Sequence, residues 1–195
     1  MNENPVEQFF DSVASSWDER ECHSRQEKLR LLCACNLNIG DKVIDIACGT
    51  GVITSLIHEL TESDVLGVDI SKNMIDIAKE KYKELKYASF KHIDVMDLDE
   101  DNKFDYAIIY NAYPHFSQPR KLSSKLSKIL NPNGHFAILH SLSRQELSLH
   151  HQGKASNVSR DLDEIVKEAK YFENEFIIEK AYEDDHSIIL IGKLK

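Results

Sequence analysis

Two glycines and an aspartate in the first third of the chain have the types and spacing of a nucleotide-binding site. Gly49 and Gly51 follow the apolar run Val43–Ala47, and a helical pattern begins directly after them. A strand that passes through a glycine turn into a helix lets the backbone approach a ligand closely and offers it unpaired N–H groups. Asp69 ends a second apolar run about 20 residues further on, where a carboxylate can accept hydrogen bonds from both hydroxyls of a ribose. These residues predict a site for a nucleoside.

Two other interpretations of this stretch stay open. The glycine turn could serve only to pack a strand against a helix, and Asp69 could be an ordinary helix cap. A nicotinamide dinucleotide is the second alternative, but its G-x-G-x-x-G fingerprint needs a third glycine where this chain has Thr54. The sequence therefore favours a nucleoside cofactor other than NAD.

Apolar runs with strand character alternate with amphipathic helical patterns over most of the chain. The predicted strands are residues 43–47, 65–70, 86–93, 104–110, 135–140, 175–182 and 187–194. The predicted helices are residues 5–17, 24–36, 52–60, 72–85, 119–130, 143–151 and 158–172. Such alternation is typical of an α/β fold whose parallel sheet is covered by helices on both faces. No repeat or flexible linker interrupts the pattern, so we expect a single domain over residues 1–195.

Polar side chains lie at the carboxyl ends of the predicted strands. The segment Asp45–Gly51 ends the first strand, Asp69 ends the second, and Asp94 and Asn111 follow the third and fourth. Strands of a parallel sheet present these ends at one edge, and ligands bind there at the point where the strand order reverses. We therefore expect these side chains to surround one ligand.

The segments Val43–Gly51, Val65–Ser71 and Phe104–Phe116 together resemble the class I S-adenosylmethionine-dependent methyltransferases. The similarity extends over about residues 5–140, and it is greatest to the small-molecule branch that includes the menaquinone and ubiquinone C-methyltransferases. It implies a Rossmann-like, mostly parallel sheet of seven strands that ends in an antiparallel hairpin. It also implies S-adenosylmethionine as cofactor, S-adenosylhomocysteine as product, and methyl transfer by in-line displacement.

The resemblance assigns cofactor contacts to residues at the predicted strand ends. The residues expected to bind the cofactor are Asp45, Ala47, Gly49, Gly51, Asp69, Ile70, Asp94, Val95 and Asn111. Within this set, Asp94 is expected to accept a hydrogen bond from the adenine amine, and the Val95 backbone N–H to donate to a ring nitrogen. Asp97 is the alternative acid, and either acid could instead cap a turn.

Residues 1–36 are expected to form helices that cover this site. The stretch 5–17 begins near Pro5 and has a continuous apolar stripe, as an amphipathic helix does. In the family that it resembles, such a helix is a lid over cofactor and acceptor; the alternative is a static helix that only covers the sheet. Trp17 and Tyr113 are candidates for an aromatic wall around the acceptor.

Histidines supply the candidate groups for chemistry at the methyl acceptor. His115 follows the fourth strand and His140 ends the fifth, so either imidazole could act as a general base. Glu146 and His150 share a helix face, and with the two histidines they could instead hold a divalent metal ion. A third interpretation is that these are scattered histidines in a chain that has nine. The stretch Ser141–His151 differs from the quinone-methylating branch, which argues against a quinone acceptor.

Composition and charge indicate the class of methyl acceptor and the cellular compartment. The net charge is −9, from 33 acidic and 24 basic residues, which disfavours a nucleic acid substrate and favours a small-molecule acceptor. No apolar run reaches the length of a membrane span, and the four cysteines lack disulfide-framework spacing. We therefore expect a cytoplasmic protein that does not insert into membranes. The sequence does not indicate its oligomeric state. A non-catalytic nucleoside-binding module and a methyltransferase acting on a macromolecule are the functional alternatives.

Overall fold

A computed structural model describes residues 4–20, 22–101, 103–151 and 157–195, with only the backbone of His150 and His151. The helices in these ranges are α1 Pro5–Val13, α2 Trp17–Arg20, α3 Arg25–Cys33, α4 Thr54–Thr61, α5 Lys72–Lys81, α6 Pro119–Ile129, α7 Arg144–His151 and α8 Ile165–Glu168. The strands are β1 Val43–Ile46, β2 Val65–Asp69, β3 Ala88–His92, β4 Phe104–Tyr110, β5 Leu130–His140, β6 Phe176–Glu183 and β7 Ile188–Leu194. Most of them lie where the apolar patterns predict them.

The seven strands form one sheet in the order β3-β2-β1-β4-β5-β7-β6. The first five strands pair in parallel, and β7 lies antiparallel between β5 and β6. The predicted fold class is confirmed: a Rossmann-like, mostly parallel sheet with helices on both faces and an antiparallel hairpin at its end. The strand order reverses at β1, so a ligand is expected between the carboxyl ends of β1 and its neighbours β2 and β4.

The central strands are apolar on both sides because helices cover both faces of the sheet. Along β1, Ile44 and Ile46 belong to one core cluster and Val43 belongs to the other. Along β4, Ile108 and Ile109 divide between the two clusters in the same alternating way. This two-sided core fixes the carboxyl ends of β1 and β4 side by side.

The predicted helix 158–172 is largely wrong. Only Ile165–Glu168 is α-helical, followed by a 3-10 turn at Ala169–Tyr171. The described residues before it follow an irregular path, in which the Arg160 N–H donates to the Pro114 carbonyl oxygen at 2.9 Å. The Arg160 guanidinium also bonds to the buried Glu168 carboxylate. These tertiary contacts outweigh the helical periodicity of the apolar residues.

The predicted helix 5–17 is interrupted. Asn4 caps α1 by accepting a hydrogen bond from the Val6 N–H at 3.0 Å, and a 3-10 turn at Ala14–Ser16 separates α1 from α2. α1 packs mainly against α5. Among the described residues, no helix has both the length and the apolar character needed to cross a bilayer.

Candidate functional site

A cavity of about 480 Å³ lies at the carboxyl ends of β1 to β4. This volume is within the usual range for cofactor and small-molecule sites. The residues of the predicted site that line it are Ala47, Gly49, Asp69, Ile70, Asp94, Val95, Asn111 and His115. The structure thus brings most of the predicted residues together at the switch point of the sheet.

The turn after β1 forms one wall of the cavity. Ala47 and Gly49 both line it and both have left-handed backbone conformations, with φ of 55° and 54°. A left-handed conformation at a residue other than glycine costs about 1–3 kcal/mol and is concentrated at functional sites. The strained alanine therefore indicates that the path of the backbone beside the cavity is under functional constraint.

Gly51, predicted to bind the cofactor, is not on the cavity wall. Its φ is 78°, and a Cβ added there would lie 2.9 Å from Tyr82 Cε2. The Tyr82 hydroxyl donates a hydrogen bond to the Gly51 carbonyl oxygen at 2.7 Å. Gly51 is therefore needed to pack the turn against the C-terminal end of α5.

Two backbone donors hold the Asp69 carboxylate at the edge of the cavity. The Gly49 N–H donates to Oδ2 and the Ser71 N–H donates to Oδ1, each at 2.8 Å. Burial raises the pKa of Asp69, although these hydrogen bonds act in the opposite direction. A carboxylate has about four acceptor positions, so Asp69 can still bind two ligand hydroxyls. This capacity fits the two hydroxyls of a ribose.

Asp45, also predicted to bind the cofactor, lies behind the cavity wall. Its carboxylate accepts a hydrogen bond from Thr54 Oγ1 at 2.9 Å, and the residue is 1% exposed. Burial raises the pKa of Asp45 to about 7, because the Thr54 hydrogen bond offsets desolvation only in part and Asp69 adds repulsion. Asp45 thus anchors α4 to β1, and its position does not support a direct contact with a ligand.

The segment after β3 forms another wall. Asp94 caps a 3-10 turn, where its Oδ1 accepts a hydrogen bond from the Met96 N–H at 2.9 Å. Asp94 and Val95 line the cavity, whereas the alternative acid Asp97 does not. Ile70 also lines the cavity, where an apolar side chain can pack against the flat face of a purine. The described walls therefore fit an adenine nucleoside.

Asn111 is a strained junction at the end of β4. Its φ is 54°, and its side chain is bonded twice to Ser141, through Nδ2 to Oγ at 2.7 Å and through Oδ1 from the backbone N–H at 2.9 Å. These bonds tie the carboxyl end of β4 to that of β5. Asn111 lines the cavity, but its side chain is already committed to this link.

His115 carries a basic nitrogen at the cavity. Its Nδ1 lies 3.0 Å from the Val158 carbonyl oxygen. That oxygen can only accept, so this contact favours the neutral tautomer with the proton on Nδ1, in which Nε2 is the basic atom. The Phe10 ring packs edge-on against the imidazole, with 4.9 Å between ring centroids. The contact with Val158 thus favours the tautomer that a general base at Nε2 requires.

The other residues predicted to act on the acceptor do not join His115 on the cavity wall. His140 is completely buried at the end of β5. Glu146 accepts hydrogen bonds from the N–H and Oγ of Ser143, each at 2.9 Å, and so caps α7. The side chain of His150 lies outside the described residues. Within the described ranges, no three His, Cys, Asp or Glu side chains group as metal ligands, so the alternative of a metal site is not supported.

Of the two aromatic residues predicted to surround the acceptor, Trp17 lines the cavity and Tyr113 does not. Trp17 lines the cavity, and its ring packs against Phe10 with 5.6 Å between centroids. Tyr113 is completely buried instead, and its hydroxyl donates to Glu168 Oε2 at 2.8 Å. The aromatic residues that line the cavity are therefore Phe10 and Trp17 of the N-terminal segment (residues 4–20) together with Tyr110 and Phe116 at the end of β4 and after it.

Carboxylates of the N-terminal segment bind the loops on either side of the cavity. Asp11 Oδ1 accepts hydrogen bonds from Ser71 Oγ at 2.6 Å and from the Asn73 N–H at 2.9 Å. Asp18 accepts one from Thr50 Oγ1. Sequence reasoning missed these contacts because the partners are far apart along the chain. The one feature of the sequence that could have indicated these contacts is the polar face of the predicted amphipathic helix 5–17.

A family model described as a methyltransferase domain matches residues 37–185, more than half of the chain. The chain belongs to this methyltransferase family. The family predicted from the three sequence segments is confirmed, and it implies S-adenosylmethionine as methyl donor.

A curated relative and two solved structures are similar to this chain. The demethylmenaquinone methyltransferase of Staphylococcus saprophyticus is 29% identical over 138 residues; the match covers 66% of this chain and 59% of that protein, so this chain spans less than two thirds of it. A SAM-dependent methyltransferase from Aquifex aeolicus has a TM-score of 0.77 at 17% identity, covering 93% of this chain and 98% of that one. A methyltransferase in complex with the Trm112 methyltransferase activator of Haloferax volcanii has a TM-score of 0.75 at 17% identity, covering 95% and 97%.

We predict that Asp45→Asn gains stability relative to the wild type as the pH rises from about 4 to 8. In the folded protein Asp45 has a pKa of about 7, whereas in the unfolded chain a carboxyl group of this kind ionises near pH 4. The folded state therefore binds more protons in this interval, so the contribution of Asp45 is complete below about pH 4 and is lost as the pH rises through about 7. Asparagine can still accept the hydrogen bond from Thr54.

Urea unfolding across this pH range measures the difference in free energy of unfolding. We expect the difference to change by up to about 1.4 kcal/mol for each pH unit between the two pKa values. The exposed Asp97→Asn is the control. A difference that stays constant with pH would show that Asp45 ionises in the folded protein as it does in the unfolded chain.

We also predict that ligand binding slows amide hydrogen exchange in residues 5–20. The contacts of Asp11 with Ser71 and of Asp18 with Thr50 join this segment to both cavity loops, so ordering those loops should stabilise it. Exchange is measured with and without S-adenosylhomocysteine. Asp11→Ala should reduce the protection, whereas Asp76→Ala on the exposed face of α5 should not. Equal exchange in both states would identify α1 as a static cover.

Proposed function

We propose that this chain transfers a methyl group from S-adenosylmethionine to a small-molecule acceptor. The observation that carries the proposal is the convergence of the Gly49 turn, Asp69 and His115 on one cavity at the switch point of the sheet. The cofactor supplies a sulfonium methyl group that is already electrophilic. The residues of the chain then have to bind, orient and desolvate the reactants and, where the acceptor requires it, remove a proton.

The nucleoside side of the site is assigned to residues on three loops. The Asp69 carboxylate would accept hydrogen bonds from the ribose hydroxyls at the acceptor positions that the Gly49 and Ser71 N–H groups do not use. Asp94 would accept from the adenine amine, and the Val95 N–H would donate to the ring. Asp69 and Asp94 line the same cavity, which supports one ligand reaching both.

The acceptor side is assigned to the region around His115. Its Nε2 would take the proton from an ionisable group on the acceptor, while Nδ1 keeps its own proton and donates it in a hydrogen bond to the Val158 carbonyl oxygen. Phe10 and Trp17 would provide apolar contact and exclude water. His140 has no part in this proposal because it is buried away from the cavity.

A small acceptor is supported by the way the N-terminal segment closes the cavity. Asn4, Val6, Phe10 and Trp17 all line it, so a macromolecule would have to displace α1 to reach His115. The net charge of −9 also disfavours a nucleic acid. The relative named as a demethylmenaquinone methyltransferase also supports a small-molecule acceptor.

A macromolecular acceptor is the second candidate function. It is favoured by the structural neighbour solved with a methyltransferase activator protein. At 17% identity this likeness concerns the fold alone. Incorporation of labelled methyl groups into protein or RNA rather than into small molecules would support this candidate over the first.

The cofactor assignment is tested by calorimetric titration with S-adenosylhomocysteine and with NAD. We expect binding of the former and little binding of the latter. Asp69→Ala should weaken S-adenosylhomocysteine binding by about 1.5–3 kcal/mol, the usual scale for hydrogen bonds to a charged group. Asp94→Ala should weaken it as well, whereas Asp97→Ala, off the cavity wall, should not. Comparable affinity for NAD, or unchanged affinity in a folded Asp69→Ala protein, would contradict the assignment.

The acceptor assignment is tested by screening small molecules with methyl-labelled cofactor. On an acceptor so found, His115→Ala should lower turnover by about 100-fold to 10,000-fold, the range for loss of a general base. S-adenosylhomocysteine affinity should stay near the wild-type value, because His115 is outside the nucleoside site. The matched control is His135→Ala, whose imidazole lies in the middle of β5, off the cavity wall, and pairs with Glu179. Full turnover in His115→Ala would remove the base from the mechanism.

A further inference from the structure

Arg160 binds the loop that carries His115 through three separate contacts. Its backbone N–H donates to the Pro114 carbonyl oxygen at 2.9 Å, and its Nε–H donates to the Phe116 carbonyl oxygen at 3.1 Å. Its guanidinium lies 4.7 Å from the centroid of the Tyr113 ring. Arg160 therefore contacts Pro114 and Phe116, the residues on both sides of His115. It also contacts Tyr113, the first residue of the 3-10 turn that contains His115.

A buried carboxylate fixes the direction of this guanidinium. Glu168 is 1% exposed and accepts two parallel hydrogen bonds from Arg160, at 2.8 Å and 2.7 Å. The Tyr113 hydroxyl donates to the same carboxylate at 2.8 Å. Burial acts to raise the pKa of Glu168, but the bonds from Arg160, from the Asp163 N–H and from Tyr113 outweigh it and lower that pKa. A paired, two-point contact of this kind has little freedom to rotate.

The segment that contains Arg160 also supplies the hydrogen-bond partner of the His115 ring. The Val158 carbonyl oxygen lies 3.0 Å from Nδ1, and Ser159 Oγ lies 3.2 Å from the same atom. The residues immediately before Arg160 therefore determine which ring nitrogen carries the proton. If this segment moves, the ring loses the acceptor that keeps Nε2 unprotonated.

We propose that Arg160 is a positioning residue, which, through Glu168, holds the His115 loop and the Val158 carbonyl in register so that Nε2 faces the acceptor as a base. The proposal rests on the function assigned to His115 above. Arg160 touches neither cofactor nor acceptor in this assignment. It acts only through the place and tautomer of His115.

The test is the tautomer of His115, read from long-range proton–nitrogen correlation spectra of the histidine rings. The wild-type ring, when neutral, should carry its proton on Nδ1. Arg160→Lys keeps the positive charge beside Glu168 but loses the Nε–H bond to Phe116 and the two-point geometry. In this variant the ratio of the Nδ1–H to the Nε2–H form should fall by about threefold to tenfold, as loss of one hydrogen bond allows.

The control is Arg25→Lys, which alters a surface arginine–glutamate pair with Glu59, remote from the loop. It should leave the tautomer ratio unchanged, and neither variant should change S-adenosylhomocysteine affinity by more than about twofold. If Arg160→Lys does not fold, Arg160→Met combined with Glu168→Gln removes both charges together and leaves an acceptor for Tyr113.

Two results would overturn the proposal. One is a wild-type His115 with its proton on Nε2, which needs no variant to observe. The other is a folded Arg160 variant with the wild-type tautomer ratio, which would limit Arg160 to a role in stability. A changed ratio combined with full turnover of His115→Ala would have a different meaning: Arg160 positions the ring, but the ring is not the base.

Discussion

Two hydrogen bonds to the carboxylate of Asp69 organise the ligand-binding edge of this protein. One donor, the Gly49 N–H, belongs to the turn after β1. The other, the Ser71 N–H, belongs to the connection between β2 and α5, in which Ser71 caps α5. The carboxylate therefore joins the two loops that border the cavity. Asp11 binds Ser71 in turn, so the N-terminal segment depends on the same junction. A ligand that bonds to Asp69 acts on all of these parts at once.

This arrangement concentrates acidic groups where water is scarce. Burial raises the pKa of both Asp45 and Asp69, since each ionised carboxylate is penalised in a low-dielectric environment. Thr54 and the two backbone donors offset only part of this penalty. A ligand that carries positive charge would offset more of it. The methyl donor implied by the family carries a positively charged sulfonium group. Its product, S-adenosylhomocysteine, has lost that charge and would offset less of the penalty.

The two ends of the chain complete a site that the sheet alone leaves open. The N-terminal segment contributes Phe10 and Trp17 to the cavity wall. The C-terminal segment contributes the Val158 carbonyl oxygen that orients His115 and the Arg160–Glu168 pair that holds its loop. The central sheet thus supplies the proposed nucleoside side of the site. The additions around it supply the proposed acceptor side, where methyltransferases of one fold can differ in substrate.

Local patterns in the sequence were sufficient for the sheet, the glycine turn and the placement of Asp69 and Asp94. Alternating apolar runs specify buried strands, and the carboxyl ends of parallel strands necessarily meet at one edge. Those patterns are properties of short stretches, so they can be read without knowing what packs against them. The same reasoning could not tell the cavity wall from the layer behind it, and it placed Asp45 and Gly51 on the wrong side of that boundary.

Only the tertiary structure decided which residues surround the proposed position of the acceptor. His140 ends its strand as predicted, yet packing buries it completely, while His115 reaches the cavity because an irregular segment holds its loop. That segment was predicted to be helical from its apolar spacing. The buried ion pair of Arg160 with Glu168 and the backbone bonds to the loop after β4 override that spacing. Contacts between residues distant in the chain are stronger here than local helix propensity, and no local pattern records them.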